Sequence, residues 1–328
     1  MAEIAIIIGN GFDLDLGLKT RYSDFMKSPE FREIYNNRRK IGSSFSLLEY
    51  LKERAKLENW FDMELAIHDF VLKYNYINTE DVDAIKEEFE SLKEALCNYL
   101  KRITSEFKVK FDKLSFKFLH LFEYCQQTKV EIYFNYTSPR ALLNHPTHFN
   151  LDNHIITYVH GSLDEGNIVL GCDFLPNKKV LKQYKFTRKG NDYVGLGESS
   201  SNENVNRNLS FMYKYNMLKH ANHVARHLME ATEIIFYGHS VNEMDFCYFR
   251  EFFKAASASP DPARHLTFIT LDEKSERDIK DNIRNQGISV SDLYNNLETF
   301  EFIHTSKFYN EEEEEKKKLK IMWSRFRF

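Results

Sequence analysis

Four short apolar runs of this chain stop at a glycine. They are residues 5–8, 155–159, 168–170 and 234–237, and the glycines are Gly9 (with Gly11), Gly161, Gly171 and Gly238. The chain holds only twelve glycines in 328 residues, so their placement is informative. Two further runs, 130–134 and 266–271, end on polar residues. Short β-branched and aromatic runs bounded by turn residues predict strands buried on both faces. Helix-period segments separate several of them. One spans 208–231. A second spans 242–254, with Asn242 as its cap, and a third spans 272–286, capped by Asp272 and ended by Gly287.

Strand–helix alternation implies an α/β fold, a Rossmann-like, mostly parallel sheet flanked by helices. Residues 45–124 differ, because they contain neither glycine nor proline and are helix-periodic almost throughout. Phe89, Leu92, Leu96, Leu100, Ile103 and Phe107 fall on one helical face. The expected organisation is therefore a nucleotide-binding core from 1–44 and 126–310, an all-helical insertion over 45–125 after the first strand, and a charged C-terminal helix over 311–328. In that helix Glu312–Lys316, Glu313–Lys317 and Glu314–Lys318 are favourable pairs one turn apart, which predicts a solvated element. Residues 185–208, rich in serine, asparagine and glycine, predict a loop or lid.

Composition narrows the function classes. The formal net charge is -4 with mixed signs, so a nucleic-acid partner is not expected. Cys97, Cys125, Cys172 and Cys247 form no CxxC pair and predict reduced, buried thiols. No secretory leader is expected, and no apolar run approaches the ~18 residues of a spanning helix. A cytoplasmic protein with no membrane partner is expected. His220, His223 and His227 share a helix face, but the first and third are about 10 Å apart by helix rise, too far for one ion. His145 and His148 form a still weaker pattern, and no metal is expected. No G-x-S-x-G, Walker A or HExxH motif occurs.

The most informative stretch is Ile6-Ile7-Ile8-Gly9-Asn10-Gly11-Phe12-Asp13. A buried strand runs into a glycine turn and an acidic segment, the pattern with which a backbone approaches a pyrophosphate at a helix N-terminus. GxGxxG is not met, because Leu14 stands where the third glycine would be. A tight structural turn fits the same residues.

Gly9-Asn10-Gly11-Phe12-Asp13-Leu14, followed by Gly17-Leu18-Lys19-Thr20-Arg21-Tyr22-Ser23-Asp24-Phe25, resembles the opening of the bacteriophage abortive-infection AbiH family. Lys19 departs from that family's usual proline. Trp60-Phe61-Asp62-Met63-Glu64 resembles its W-x-D-x-E motif, and Phe134-Asn135-Tyr136-Thr137 its FNYT. His160-Gly161 resembles its HG, and Tyr237-Gly238-His239-Ser240 with Asp245 its GHS…D. A more distant resemblance links these strand-end residues to sirtuin-like NAD-consuming folds, without the sirtuin zinc module.

These resemblances imply a phage-defence effector that binds and hydrolyses NAD or a related nucleotide at its N-glycosidic bond. The nucleotide is then substrate or ligand, with no resident cofactor. Asn135 and His160 become the catalytic candidates. Gly9, Asn10, Gly11, Phe12, Asp13, Glu64, Gly238, His239, Ser240 and Asp245 become the substrate-binding candidates. A non-catalytic nucleotide sensor is the alternative, with a phage-derived trigger or partner protein and self-association as further implied contacts. The bland readings are that Asn135 and His160 serve strand-end turns, and that Gly238-His239-Ser240 caps a helix. On those readings Asp245 favours a helix dipole and Glu64 is solvated.

Overall fold

The computed structural model describes residues 3–38, 46–57, 61–74, 79–142, 154–172, 186–189, 192–195, 207–212, 214 and 217–328. Trp60, His145, His148 and the His220 side chain lie outside the described residues, as does most of 185–208.

Eight strands are described: β1 (Ile4–Ile8), β2 (Lys129–Tyr133), β3 (His154–Tyr158), β4 (Phe186–Lys189), β5 (Asp192–Gly195), β6 (Glu233–Tyr237), β7 (Asp261–Thr270) and β8 (Leu297–His304). Six of them form one all-parallel sheet in the order β3-β2-β1-β6-β7-β8. Renumbered within the sheet this is 3-2-1-4-5-6, the doubly wound order whose direction reverses between the two central strands. Here the reversal falls between β1 and β6.

Strand alternation sorts the two faces. Ile4, Ile6 and Ile8 pack with Leu114, Phe118 and Phe122 of the helix Leu114–Glu123, and with Leu319 and Met322 of Glu313–Ser324. Ala5 and Ile7 face the other layer, where Val224 and Leu228 come from Met217–Glu230, Phe252 and Phe253 from Arg250–Ala258, and Ile279 and Ile283 from Glu273–Asn285. β1 is thus buried on both faces, as its unbroken apolar run predicts.

A separate core holds the helical segment together. Leu47, Leu51, Ile67, Phe70, Phe89, Leu92 and Leu96 join Phe25 and Phe31 from the first helices after β1. The segment between 45 and 125 is divided: the long helix Thr79–Ser105 belongs to this second core, whereas Leu114–Glu123 belongs to the sheet.

Several expectations are corrected. Residues 168–170 form no strand; Ile168 and Leu170 are apolar because they enter the helical core. The helix expected over 208–231 is a short 3-10 turn at Arg207–Met212 and a helix at Met217–Glu230; Leu209 and Met212 point to one core and Val224 and Leu228 to the other. The helix expected from Asn242 begins only at Arg250, preceded by a 3-10 turn at Phe246–Tyr248. Within 185–208, where a loop was expected, β4 and β5 pair as an antiparallel hairpin. Asp272 does cap its helix, accepting from the Ser275 amide at 2.8 Å. Cys97 and Cys247 are half-buried rather than buried, and none of the four cysteines is in a disulfide.

Candidate active site

The loops after β1 and β6 meet at the reversal point, and they meet backbone to backbone. Gly11 donates its amide to the Gly238 carbonyl at 2.8 Å. A side-chain carbon on Gly11 would lie 2.6 Å from the Gly238 Cα, and one on Gly238 would lie 2.2 Å from the Phe12 nitrogen. Gly238 also has φ +66, a conformation that favours glycine. The glycines Gly9, Gly11 and Gly238 therefore first secure loop-on-loop packing. The Gly9 amide goes to Tyr237 O and the Phe12 amide to Gly9 O, so these donors are taken by protein. Phe12 does not face the crevice: its ring is fully buried in the sheet core, 4.8 Å from Tyr237. Asn10 is exposed and accepts from the Thr20 hydroxyl.

One turn into the helix Asn10–Leu16, Asp13 points inward and is 1% exposed. Its Oδ2 accepts from the Thr137 hydroxyl at 2.5 Å, joining the loop after β1 to the loop after β2. Oδ1 has no hydrogen-bond partner. Burial pushes the Asp13 carboxyl up to about 7, against the lowering pull of Thr137 and of the nearby Asn135 amide. Asn135 itself is 5% exposed, and neither its Oδ1 nor its Nδ2 reaches hydrogen-bonding geometry with a protein group. Thus Asn135 does not cap a turn with its side chain.

His160, in the loop after β3, is buried with Nε2 3.3 Å from Asp245 Oδ1. His239 Nε2 is 3.5 Å from the other oxygen, Oδ2. The Val241 amide donates to His239 Nδ1 at 3.0 Å, which assigns the neutral His239 proton to Nε2. His160 presents Nε2 to the Asp245 carboxylate, and an ionised carboxylate accepts only, so the proton of that contact sits on Nε2 and Nδ1 is left outside it. Burial pushes the Asp245 carboxyl up, but the two imidazoles outweigh it and hold it well below the usual carboxylate range. Asp245 is thus a clamp on two histidines and does not serve a helix dipole. The Asn242 side chain accepts from the Asp245 amide at 3.0 Å and fixes that turn. The Phe134 ring packs between the histidines, 5.5 Å from His160 and 4.4 Å from His239. Ser240 is exposed, and its carbonyl accepts from Asn282.

Glu64 reaches the same region from the helical core and is not a solvated surface carboxylate. Its Oε1 accepts from Tyr136 at 3.1 Å, and its Oε2 lies 2.8 Å from the buried Lys214 ammonium. The Tyr136 ring is 6.5 Å from His160, so one side chain separates Glu64 from the histidine. Asp62 caps the helix Met63–Lys73 by accepting from the Glu64 and Leu65 amides. Burial, reinforced by Glu64, pushes the Asp62 carboxyl up to about 6.

The structure therefore brings Asp13, Asn135, His160, His239, Asp245 and Glu64 to the carboxyl ends of the strands. Sequence reasoning missed Thr137 and Lys214. Thr137 stands in the quoted FNYT motif, which was a usable signal. Lys214 had none, because its partner is 150 positions away in the chain.

The model of one family, bacteriophage abortive infection AbiH, matches residues 5–263. The chain belongs to the AbiH family. That match spans most of the chain and covers every residue of this cluster; it supports a role in abortive infection of phage. No curated protein and no solved structure matches. The AbiH motifs now have physical content. The aspartate of the opening motif bonds the threonine of FNYT, and the aspartate after GHS holds the histidine of HG. Among the described residues no group of three or more His, Cys, Asp or Glu side chains is arranged to hold a metal, and no helix is long and apolar enough to cross a membrane.

Proposed function

We propose that this AbiH chain is an abortive-infection effector that binds NAD or a related nucleotide in this crevice and hydrolyses its N-glycosidic bond. The observation that carries the reading is the pairing of Asn135 and His160. Each lies two residues past the last residue of its strand, on neighbouring strands whose ends are in register at Tyr133 and Tyr158. One offers a buried amide with no protein partner, and the other an imidazole oriented by a carboxylate. Their catalytic roles follow the sirtuin-like resemblance, and the crevice lies where open parallel sheets bind ligands.

In this mechanism Asn135 holds a ribose hydroxyl, and His160 Nδ1 takes a proton from the attacking water. Positioning and proton transfer supply the rate, and a general base contributes about 10²–10⁴-fold. The experiment is incubation of the purified chain with NAD, with nicotinamide followed by chromatography. His160→Ala and Asn135→Ala are expected to abolish release while a cooperative melt is retained. No free base from NAD or a related nucleotide with the wild type, or unaltered release from both variants, overturns the reading. A second reading, a sensor that holds the nucleotide without cleaving it, is favoured by the full burial of Asp13 and Asn135. It predicts a ligand-dependent rise in melting temperature without product.

A further inference from the structure

We infer that Asp13 is the proton donor of this crevice, and that the bond it helps to break joins ribose to a neutral base, as in a purine ribonucleotide. The inference rests on the N-glycosidic reading above and specifies its substrate class.

The geometry comes first. β1, β2 and β3 are consecutive neighbours in the sheet, with Ile8 beside Tyr133 and Tyr133 beside Tyr158. The loops that follow carry Asp13, Asn135 and His160 in that spatial order. Neighbouring strands are about 4.8 Å apart, so the ends of the outer two strands are separated by roughly 10 Å, with the strand that leads to Asn135 between them.

The hydrogen bonding then distinguishes the two outer groups. Asp13 Oδ2 is fixed by Thr137, whereas Oδ1 and the Asn135 side chain are enclosed beside each other with no hydrogen bond of full geometry to other protein groups. These are a carboxyl oxygen and an amide on adjacent loops, oriented by the fold and not consumed by it. Burial keeps Asp13 protonated well above the ordinary carboxylate range, up to about 7. His160 is oriented by Asp245 through Nε2, which leaves Nδ1 outside that contact.

A buried acid has a use for only one class of N-riboside. A pyridinium such as nicotinamide leaves as a neutral molecule and needs no proton. A purine leaves as an anion unless its nitrogen is protonated as the bond breaks. In the balanced step, a water oxygen bonds to C1′ and the C1′–N bond breaks with its electron pair going to the base. The Asp13 proton passes to the base nitrogen, and the water proton passes to His160 Nδ1. Proton exchange through solvent restores both groups. The net change is hydrolysis to a free base and a ribosyl hydroxyl.

The test uses the full chain with two probes, NAD⁺ and adenosine monophosphate, and follows release of nicotinamide and adenine by chromatography. The wild type is expected to release adenine. Asp13→Asn should lower adenine release by about 10²–10⁴-fold, a larger loss than it causes in any nicotinamide release. Thr137→Val, which keeps the acid but loosens it, should lower adenine release by about tenfold with a cooperative melt intact. It serves as the second variant should Asp13→Asn fail to fold. Release of nicotinamide but not adenine by the wild type overturns this inference and leaves the broader reading standing. Equal loss of both products in Asp13→Asn does the same. No free base from either probe overturns both.

Discussion

Two aspartates enclosed in neighbouring loops of one crevice have opposite fates. Asp13 is 1% exposed and receives one hydroxyl, and its carboxyl is pushed up to about 7. The Asp245 side chain is 14% exposed and faces two imidazoles, and its carboxyl is held far below the usual range. Burial raises both. The number and kind of donors decides which one carries a charge at neutral pH. A site that needs both an acid and a fixed anion can obtain them from the same residue type, provided that the loops supply different partners.

The comparison breaks most severely if the loops are pushed apart. Gly238→Ala places a methyl group within the Gly11–Phe12 backbone and at a positive φ, and should cost roughly 5 kcal/mol as overpacking and strain combine. Urea denaturation should show this loss, and an unchanged midpoint would refute the close-packed junction. The next effect concerns pH. Asp13 has a folded-state acidity near 7 against an unfolded value near 3.8, so the folded state binds more protons between those values. Stability from this group is therefore lost as pH rises from about 4 to 7. The cost reaches as much as ~4 kcal/mol above that window. Asp13→Asn should be more stable than wild type at pH 8 and similar to it near pH 4. Glu233, also pushed up to about 7 by burial, contributes in the same direction in both proteins, so the difference between them isolates Asp13.

Asp245 has the opposite sign. Its depressed value gives stability that is present above the ordinary carboxylate pKa and is lost only as pH falls below about 4. Asp245→Asn should thus cost about 3 kcal/mol uniformly between pH 5 and 8, because two buried imidazoles lose a charged acceptor. A strong pH slope in that variant would show that the clamp has been misassigned. The smallest expected change is Thr137→Val. It removes one hydrogen bond, costs about 1 kcal/mol, and should move the Asp13 titration upward, measurable by carboxyl NMR shifts.

Much of the fold was legible because β-branched runs that stop at glycine or polar residues have few alternatives to a buried parallel strand. β8 was not read, because its Leu-Glu-Thr-Phe-Glu-Phe-Ile-His segment alternates apolar and polar residues as an edge strand does. The C-terminal helix was read as wholly solvated from its charge pattern. The pair Lys318–Glu314 does form at 3.5 Å, yet Glu315 is buried and accepts from the His304 amide at 2.8 Å. Local charge spacing carries no information about such a distant partner. The same limit explains the site. Motif positions indicated Asn135 and His160, but the distinction between Asp13 and Asp245 depends on partners 124 and 85 residues away in the chain.

The position of β1 in the sheet also has a kinetic consequence. It is the first strand to be synthesised, yet its two neighbours begin at Lys129 and Glu233. The helical segment can collapse through contacts close in sequence, which form quickly, while the central strand waits for loop closures of more than a hundred residues. On a ribosome, the part of the helical core between Phe25 and Leu100 precedes β2, and the site is not assembled until β6 and the loop carrying Asp245 have emerged. The chain is therefore built so that its most complete-looking early intermediate lacks the site altogether.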